Sequence, residues 1–139
     1  PQFGVPLLGI IPKVKKSKRV EHELGLLAVD DPRGSFAEAY RSMRTALQFS
    51  TSDGAPSRLM VTSSVASEGK STTALALAIN FAQLGKRVLI IDGDLRNPSL
   101  HRALGVENTT GLSNYLAGAA MLSLAGLAMS RETKDVERF

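Results

Sequence analysis

The sequence predicts an incomplete α/β fold in which helices flank a parallel sheet. Two short apolar runs, residues 58–62 and 88–91, are typical of sheet strands, and the second is apolar enough to be buried on both faces. Between them, residues 71–84 are rich in alanine and leucine and apolar almost all round, as expected for a helix packed tightly against a sheet. Strand, helix and strand in this order form the crossover that joins parallel strands.

The residues before this unit divide into a linker and a helix. Residues 1–34 are interpreted as a linker because prolines and glycines recur in them, although their apolar run at 5–11 is suited to an edge strand or to packing on the core. A helix is expected to start at Ser35, with Ser35 as N-cap and Glu38 closing a capping box. Its apolar stripe at helical spacing comprises Phe36, Tyr40, Met43 and Leu47.

The residues after the central helix are predicted to continue the α/β pattern for a short distance. Gly85 stands where the end of a helix favours a left-handed residue, and two basic residues separate it from the second strand. Short helices are predicted within residues 98–105 and 111–118, each bounded by proline or glycine. From residue 119 onwards no clear periodicity remains, so the sequence predicts only two strands for the sheet.

Composition and charge exclude some classes of site and partner. The chain has 139 residues, which leaves room for one domain and little more, and its lack of cysteine excludes disulfides and thiolate metal sites. Its net charge of +4 includes an early basic group that is interpreted as a solvated linker or as a segment attracted to anionic lipid. Without interleaved aromatic residues, the group argues against nucleic acid as a partner. It comprises Lys13, Lys15, Lys16, Lys18 and Arg19.

The loop between the first strand and the central helix is predicted to bind phosphate. It carries Gly69, Lys70 and Ser71 at the junction of strand and helix, which is the context of a P-loop. Loop N–H groups would wrap the β-phosphate, Lys70 would reach the β- and γ-phosphates, and Ser71 would ligate Mg²⁺. Ser64 replaces the first glycine of the generic pattern, so a loop that only caps a helix is the alternative. The predicted fold class is thus a P-loop NTPase-like α/β fold.

Two carboxylates follow the second strand. Asp92 and Asp94 are two positions apart, so their side chains share one face of an extended segment. Ligands of open α/β sheets bind beyond the carboxyl ends of the strands, where the phosphate loop also begins. If the two strands are parallel neighbours, both carboxylates lie beside Lys70 and Ser71 and address one metal or one substrate hydroxyl. The alternative is ordinary turn chemistry at the end of a strand.

These motifs together resemble the cytoplasmic domain of bacterial tyrosine kinases, the P-loop kinases attached to capsular and exopolysaccharide assembly. Residues 62–72 resemble that family's Walker A loop, which also lacks the first glycine, and residues 90–101 resemble its Walker A′ motif. Residues 38–44 resemble its E-x-x-R-x-x-R oligomerisation motif. Residues 8–13 are similar to the segment after the family's second membrane helix, so the resemblance covers about residues 6–118.

The resemblance implies an ATP-dependent protein-tyrosine kinase that regulates capsular and exopolysaccharide synthesis and export, with ATP and Mg²⁺ as cofactors. By position, Lys70 would bind ATP phosphates, Asp92 would be the base for the attacking tyrosine hydroxyl, and Asp94 would support the metal. The implied catalytic residues are therefore Lys70, Asp92 and Asp94, and the implied metal ligands are Ser71 and Asp94. The implied nucleotide-binding residues are Glu68, Gly69, Lys70, Ser71 and Thr72.

The resemblance also implies partners and a location. Glu38, Arg41 and Arg44 would meet a neighbouring subunit in a homo-oligomeric ring, and a neighbour's tyrosine-containing tail would be the substrate. A transmembrane polysaccharide co-polymerase or activator segment would hold the domain at the cytoplasmic face of the bacterial inner membrane. Residues 1–34 would then be a juxtamembrane linker, and residues 35–139 the N-terminal part of the kinase domain.

The chain departs from the family pattern at two places. Where the family's loop usually reads Pro-Gly-Glu-Gly-Lys, Ala66 and Ser67 replace proline and glycine. A positive φ at Ser67 would therefore cost roughly 1–2 kcal/mol. The sequence also lacks a Walker B strand and a C-terminal tyrosine cluster, so we expect the chain to be a fragment of the kinase domain whose sheet and metal site are incomplete.

Two other functions remain compatible with the sequence. A MinD/ParA-like P-loop ATPase has the same broad fold, but it carries a signature lysine at the position of Val65. A non-catalytic nucleotide-binding module that regulates polysaccharide chain length would need no Walker B strand. Retained nucleotide binding without tyrosine phosphorylation would select this second alternative.

Overall fold

The structure is a computed structural model that describes residues 4–14, 26 and 31–118, together with the backbone of residues 127–129 and 136–138. Four helices and two short strands lie within these residues. In chain order they are α1 (Ser35–Gln48), α2 (Lys70–Ala82), α3 (Leu100–Leu104), α4 (Leu112–Leu116), β1 (Leu127–Met129) and β2 (Val136–Arg138). The strands β1 and β2 pair antiparallel, with Leu127 opposite Arg138. The predicted linker residues Lys15, Lys16, Lys18 and Arg19 lie outside the described residues.

The first helix begins at the predicted residue but with a different cap. Ser35 is already helical, and the N-cap position is taken by Gly34, whose backbone is extended. The predicted capping box is therefore wrong, because a residue inside the helix cannot occupy the cap position. The Glu38 carboxylate instead accepts a hydrogen bond from Arg41 Nε at 3.1 Å, one turn further along α1.

The larger core cluster lies between α1 and α2. The rings of Phe36 and Tyr40 meet edge to face, with their centroids 5.0 Å apart. Ile11 and Val14 pack against this cluster, so part of the N-terminal segment covers the core and does not add an edge strand. The buried side chains are Phe36, Ala37, Tyr40 and Leu47 from α1 and Ala76 and Leu77 from α2.

A second cluster covers another side of α2. Leu75 and Ile79 pack with Leu100 of α3, and Ile90 contacts them from the segment that follows α2. Burial on two sides explains why the sequence of α2 is apolar almost all round. The bounds of α2 confirm the helix predicted over residues 71–84 to within two residues. Asn80 is also buried, and its amide donates a hydrogen bond to the Ala76 carbonyl oxygen of the same helix at 2.8 Å.

The two predicted strands and their parallel sheet are not formed in the described part of the chain. Residues 59–63 and 86–94 have no regular secondary structure, and no backbone hydrogen bond joins them. Exposure nevertheless alternates residue by residue from 88 to 95, which is typical of an extended chain covered on one face. Leu89 and Ile91 point outward and are exposed, so the prediction of burial on both faces is wrong. An extended segment becomes a strand only when a neighbour receives its hydrogen bonds.

The connections around the helices agree with the sequence. Gly85 has a φ of 76° after α2, and its N–H donates to the Ala82 carbonyl oxygen at 2.8 Å, as expected at the end of a helix. The two short helices predicted after residue 98 are confirmed as α3 and α4. Among the described residues, no helix has the length and apolar character needed to cross a membrane.

Candidate functional site

The predicted phosphate loop, residues 64–69, links residues 59–63, the first extended segment, to α2; residues 86–94 are the second extended segment. Gly69 is the N-cap of α2 and has a φ of 87°, a conformation that glycine adopts readily because it has no Cβ. Ser67 also has a positive φ, of 62°, and among the described residues it is the one non-glycine residue that does. Ser67 therefore does adopt the conformation whose cost was considered above, and the chain turns sharply into the N-terminus of α2.

The side chain of Glu68 lies within this loop. Its Oε2 atom accepts hydrogen bonds from the backbone N–H groups of Ser64 at 2.9 Å and Val65 at 3.2 Å. The loop borders an open cavity of about 600 Å³, which Lys70 and Thr73 of α2 also line. The N–H groups of Ser64 and Val65 are therefore already donated to Glu68, whereas Lys70 and the N-terminus of α2 beside this cavity suit a bound anion.

Lys70 and Asp94 meet across this site. Lys70 Nζ lies 2.7 Å from Asp94 Oδ2, although the two residues belong to different segments of the chain. The hydrogen bond from Lys70 holds the pKa of the Asp94 carboxyl below its usual value, and the backbone N–H of Asn97 lowers that pKa further. Asp94 is therefore ionised at neutral pH beside the predicted phosphate-binding lysine.

Asp92 shares a face with Asp94, as predicted, but it serves the local backbone. Its Oδ2 atom accepts the N–H groups of Ser99 at 2.8 Å and Leu100 at 3.0 Å, at the start of α3. Its Oδ1 atom accepts the N–H of Asp94 at 3.1 Å. Three backbone donors thus hold this carboxylate, which fixes the turn between the second extended segment and α3.

Ser71, the predicted metal ligand, lies in the first turn of α2. Its hydroxyl is hydrogen-bonded to the Ser99 hydroxyl at 2.8 Å. The described residues contain no group of three acidic, histidine or cysteine side chains that would hold a metal by themselves. Mg²⁺ usually takes one or two protein oxygens and completes its shell with water and phosphate, so a hydroxyl and the Asp94 carboxylate are suitable donors.

A hydrogen bond joins α1 to the same site. The hydroxyl groups of Tyr40 and Thr73 are 3.0 Å apart, and Thr73 lies one turn after Lys70 on α2. Tyr40 is 1% exposed, and its burial raises the pKa of its phenol above the usual value. Thr72, the last predicted nucleotide-binding residue, is half-buried in the first turn of α2.

The predicted oligomerisation residues lie on α1. Glu38 and Arg41 form an exposed ion pair at 2.9 Å. The Nε atom of Arg44 is buried and has no hydrogen-bond partner among the described residues. The structure thus groups Lys70, Ser71 and Asp94 in one site. The predicted oligomerisation residues lie on a separate helix, α1.

Sequence reasoning missed two participants in the site, Ser99 and Thr73. Ser99 precedes a short helix, which marks it as a possible cap, but the capping carboxylate comes from Asp92, seven residues earlier. Thr73 follows the loop motif by two residues, but its partner Tyr40 is 33 residues away in the sequence. Neither pairing has a local signal, because both depend on how segments pack.

Comparison with known families places this part of the chain in a nucleotide-binding family. The CobQ/CobB/MinD/ParA nucleotide binding domain family matches residues 59–135, which include the phosphate loop, Asp92 and Asp94. In the crystal structure of the chimerical protein CapA2B2, a similar fold covers 89% of this chain and 50% of that chain, with a TM-score of 0.68 and 30% identity. Both findings support the α/β fold.

Several curated relatives are named tyrosine-protein kinases. YwqD of Bacillus subtilis (strain 168) is 38% identical over 123 residues, which are 88% of this chain and 52% of YwqD. The kinase etk of Escherichia coli (strain K12) is 42% identical over 66% of this chain and 13% of etk. The kinase wzc of Salmonella typhi is 43% identical over 67% of this chain and 13% of wzc. The chain therefore resembles bacterial tyrosine kinases, and it spans about half the length of YwqD.

Proposed function

We propose that this chain, which belongs to the CobQ/CobB/MinD/ParA nucleotide binding domain family, is the nucleotide-binding part of an ATP-dependent protein-tyrosine kinase. The names of its relatives support the kinase reading, since YwqD, etk and wzc are all called tyrosine-protein kinases. On this proposal the kinase regulates capsular or exopolysaccharide synthesis and export.

The observation that carries the proposal is the position of Lys70. It is the first residue of α2, directly after a loop with a left-handed Gly69, and its ammonium group lies 2.7 Å from Asp94. The positive end of the α2 dipole and this lysine both favour the phosphates of ATP. Phosphoryl transfer depends mainly on such positioning and charge neutralisation.

The first test is binding of Mg²⁺-ADP to the full chain by calorimetry. Lys70→Met is expected to abolish saturable binding, because it removes the charge that meets the phosphates. Lys86→Met is the matched control, since Lys86 is exposed beyond the end of α2, and it should bind as the unmodified chain does. Equal affinity in both variants would contradict a nucleotide site at the loop.

Mg²⁺ would be held by Ser71 and Asp94, whose oxygen donors suit it, and when bound it would neutralise charge on the phosphates. Asp94 must first release Lys70, which is then free to meet a phosphate. For Asp92 to act as base toward a tyrosine hydroxyl, it must release the N–H groups at the start of α3. Asp92→Asn would separate these roles, because it removes the base and keeps one oxygen to accept these N–H groups.

The kinase step requires a tyrosine from outside this site. Tyr40 is buried, and Tyr115 is half exposed on α4, so we propose a tyrosine-containing tail of another chain as substrate. Incubation with ATP, Mg²⁺ and a Glu-Tyr copolymer should give phosphotyrosine that depends on Lys70. Nucleotide binding without phosphotyrosine would select the non-catalytic regulatory module.

The assembly is a separate proposal. The exposed ion pair of Glu38 and Arg41, with Arg44 one turn later, supports a contact between subunits through α1. In this proposal a homo-oligomeric ring presents one subunit's tail to the next, and a transmembrane co-polymerase or activator segment holds it at the cytoplasmic face of the inner membrane. Light scattering at equal concentration tests the ring with Arg41→Ala and Arg44→Ala together, which should lower the mass.

A further inference from the structure

The phosphate loop contains one residue in a costly backbone conformation. At Ser67, with φ at 62°, the Cβ crowds the following carbonyl oxygen, whereas glycine would adopt the same angle freely. A residue keeps such a conformation only when the structure around it determines the turn. Some contact of the loop must therefore oppose relaxation of Ser67.

The side chain of the next residue makes that contact. Glu68 Oε2 accepts the N–H groups of both Ser64 and Val65, at 2.9 and 3.2 Å, so one carboxylate oxygen joins the end of the loop to its beginning. Ser67 lies between Val65 and Glu68 in the sequence, so it is inside the turn that these hydrogen bonds close. Hydrogen bonds to an ionised acceptor are stronger than neutral ones, which suits this carboxylate to hold the loop closed.

The charge of Glu68 does not by itself favour a bound phosphate. Glu68 borders the cavity that also contains Lys70, and a negative charge there repels phosphate. A carboxylate that only repelled the ligand would weaken binding, whereas one that shapes the loop would strengthen it. These two effects have opposite signs, so they can be separated by experiment.

We propose that Glu68 is a positioning residue that holds the phosphate loop in its binding conformation against the left-handed backbone of Ser67. Its effect on nucleotide affinity rests on the function proposed above, whereas its contact with the loop N–H groups does not. The role belongs to the side chain, and it makes Ser67 and Glu68 energetically coupled.

Calorimetry with Mg²⁺-ADP tests the coupling in the full chain. Glu68→Ala should weaken binding about fivefold or more, because the loop loses two charge-assisted hydrogen bonds. Ser67→Gly in the Glu68→Ala background should restore most of the affinity, since glycine needs no contact to hold the turn. Glu68→Gln keeps an oxygen acceptor, so its affinity for Mg²⁺-ADP should lie between that of Glu68→Ala and that of the unmodified chain. Tighter or unchanged binding in Glu68→Ala would overturn the proposal.

Asp53→Asn is the matched control for charge. Asp53 is exposed at the opposite end of the first extended segment, so its neutralisation changes the net charge equally without touching the loop. It should leave the affinity unchanged. An effect as large as that of Glu68→Ala would assign the change to net charge and overturn the positioning role.

A second measurement needs no nucleotide. Hydrogen exchange by NMR should show the Ser64 and Val65 N–H groups protected in the unmodified chain and in Asp53→Asn, and unprotected in Glu68→Ala. If the unmodified chain fails to bind Mg²⁺-ADP, the proposed function fails, and this exchange still decides the role of Glu68. Equal exchange in all the variants would overturn the proposal.

Discussion

Two regions of the molecule differ in how far their side chains are buried. One is the helical pair α1 and α2, and the other comprises the two extended segments, residues 59–63 and 86–94. The helices satisfy their own hydrogen bonds and bury one face against each other, with Tyr40 of α1 1% exposed and Ala76 of α2 0% exposed. The extended segments have no hydrogen-bonded neighbour among the described residues, and Met60 and Ile91 remain 85% and 56% exposed on them.

The site lies where these two regions meet, and this difference explains how it is held. Packing against α1 holds α2, which carries Lys70 and Ser71. The second extended segment is anchored at its end by polar contacts, such as the pair of Lys70 and Asp94 and the bonds from Asp92 to the start of α3. Packing thus orients one side of the site and hydrogen bonds orient the other.

The largest expected effect on the free energy of unfolding is at a buried isoleucine, and an exposed isoleucine serves as its control. Ile79→Ala should destabilise the chain by about 2–5 kcal/mol, because it leaves a cavity in the cluster around α2. Ile91→Ala is the matched control and should change the free energy of unfolding by no more than about 0.5 kcal/mol, since its side chain faces solvent. Urea unfolding followed by circular dichroism measures both. A large effect at Ile91 would mean that its outward face is covered in solution.

The next effect tests the polar anchors. Asp92→Ala should cost about 1–2 kcal/mol of stability, because it removes the acceptor for the N–H groups at the start of α3. Amide hydrogen exchange should rise at Ser99 and Leu100, while α1 keeps its protection. Uniform loss of protection across α1 and α2 would show that the two regions are not as independent as their contacts indicate.

A smaller effect is expected at the contact between α1 and the site. Tyr40→Phe should cost about 1 kcal/mol through loss of the hydrogen bond to Thr73. Tyr115→Phe is the control, because the Tyr115 ring is half exposed on α4. Equal effects of the two changes on urea unfolding would argue against a stabilising contact between Tyr40 and Thr73.

The same tyrosine predicts a dependence on pH. Burial raises the pKa of Tyr40 above 10.0, so the unfolded chain loses the phenol proton first as pH rises. Its contribution to stability is complete below pH 10 and is lost between that value and the higher pKa of the folded chain. The stability advantage over Tyr40→Phe should therefore shrink above pH 10 in urea titrations. A constant difference up to pH 11 would contradict a raised pKa.

The smallest effect on stability is expected on the exposed face of α1. Glu38→Gln removes the ion pair with Arg41 and should cost no more than about 0.5 kcal/mol, as exposed pairs contribute little. If α1 forms the proposed subunit contact, the same change should lower self-association measured by light scattering. A large loss of stability with unchanged mass would assign Glu38 to the fold of one chain.

Local patterns predicted the helices well because a helix closes its hydrogen bonds within its own segment. The period of Phe36, Tyr40 and Leu47 located α1, and the all-round apolar sequence located α2. The strands were predicted wrongly for the described residues, because a strand needs a neighbour that periodicity does not supply. The capping box at Ser35 failed by one residue, since several nearby residues are able to occupy a cap.

The site was predicted in part for a similar reason. Lys70, Ser71 and Asp94 were named from motifs; the structure pairs Lys70 with Asp94 and places Ser71 beside Lys70 in the first turn of α2. Asp92 accepts an N–H group at the start of α3, and Tyr40 is hydrogen-bonded to Thr73. Both contacts depend on partners farther along the chain, so neither had a local sequence signal.

The sequence by itself determined the helical segments, the phosphate-loop motif and the shared face of Asp92 and Asp94. These follow from backbone preferences and side-chain spacing over a few residues. The tertiary structure alone decided that Asp94 meets Lys70, that Asp92 caps α3, and that the extended segments keep an exposed face. Those outcomes depend on packing between segments far apart in the chain, which local sequence does not encode.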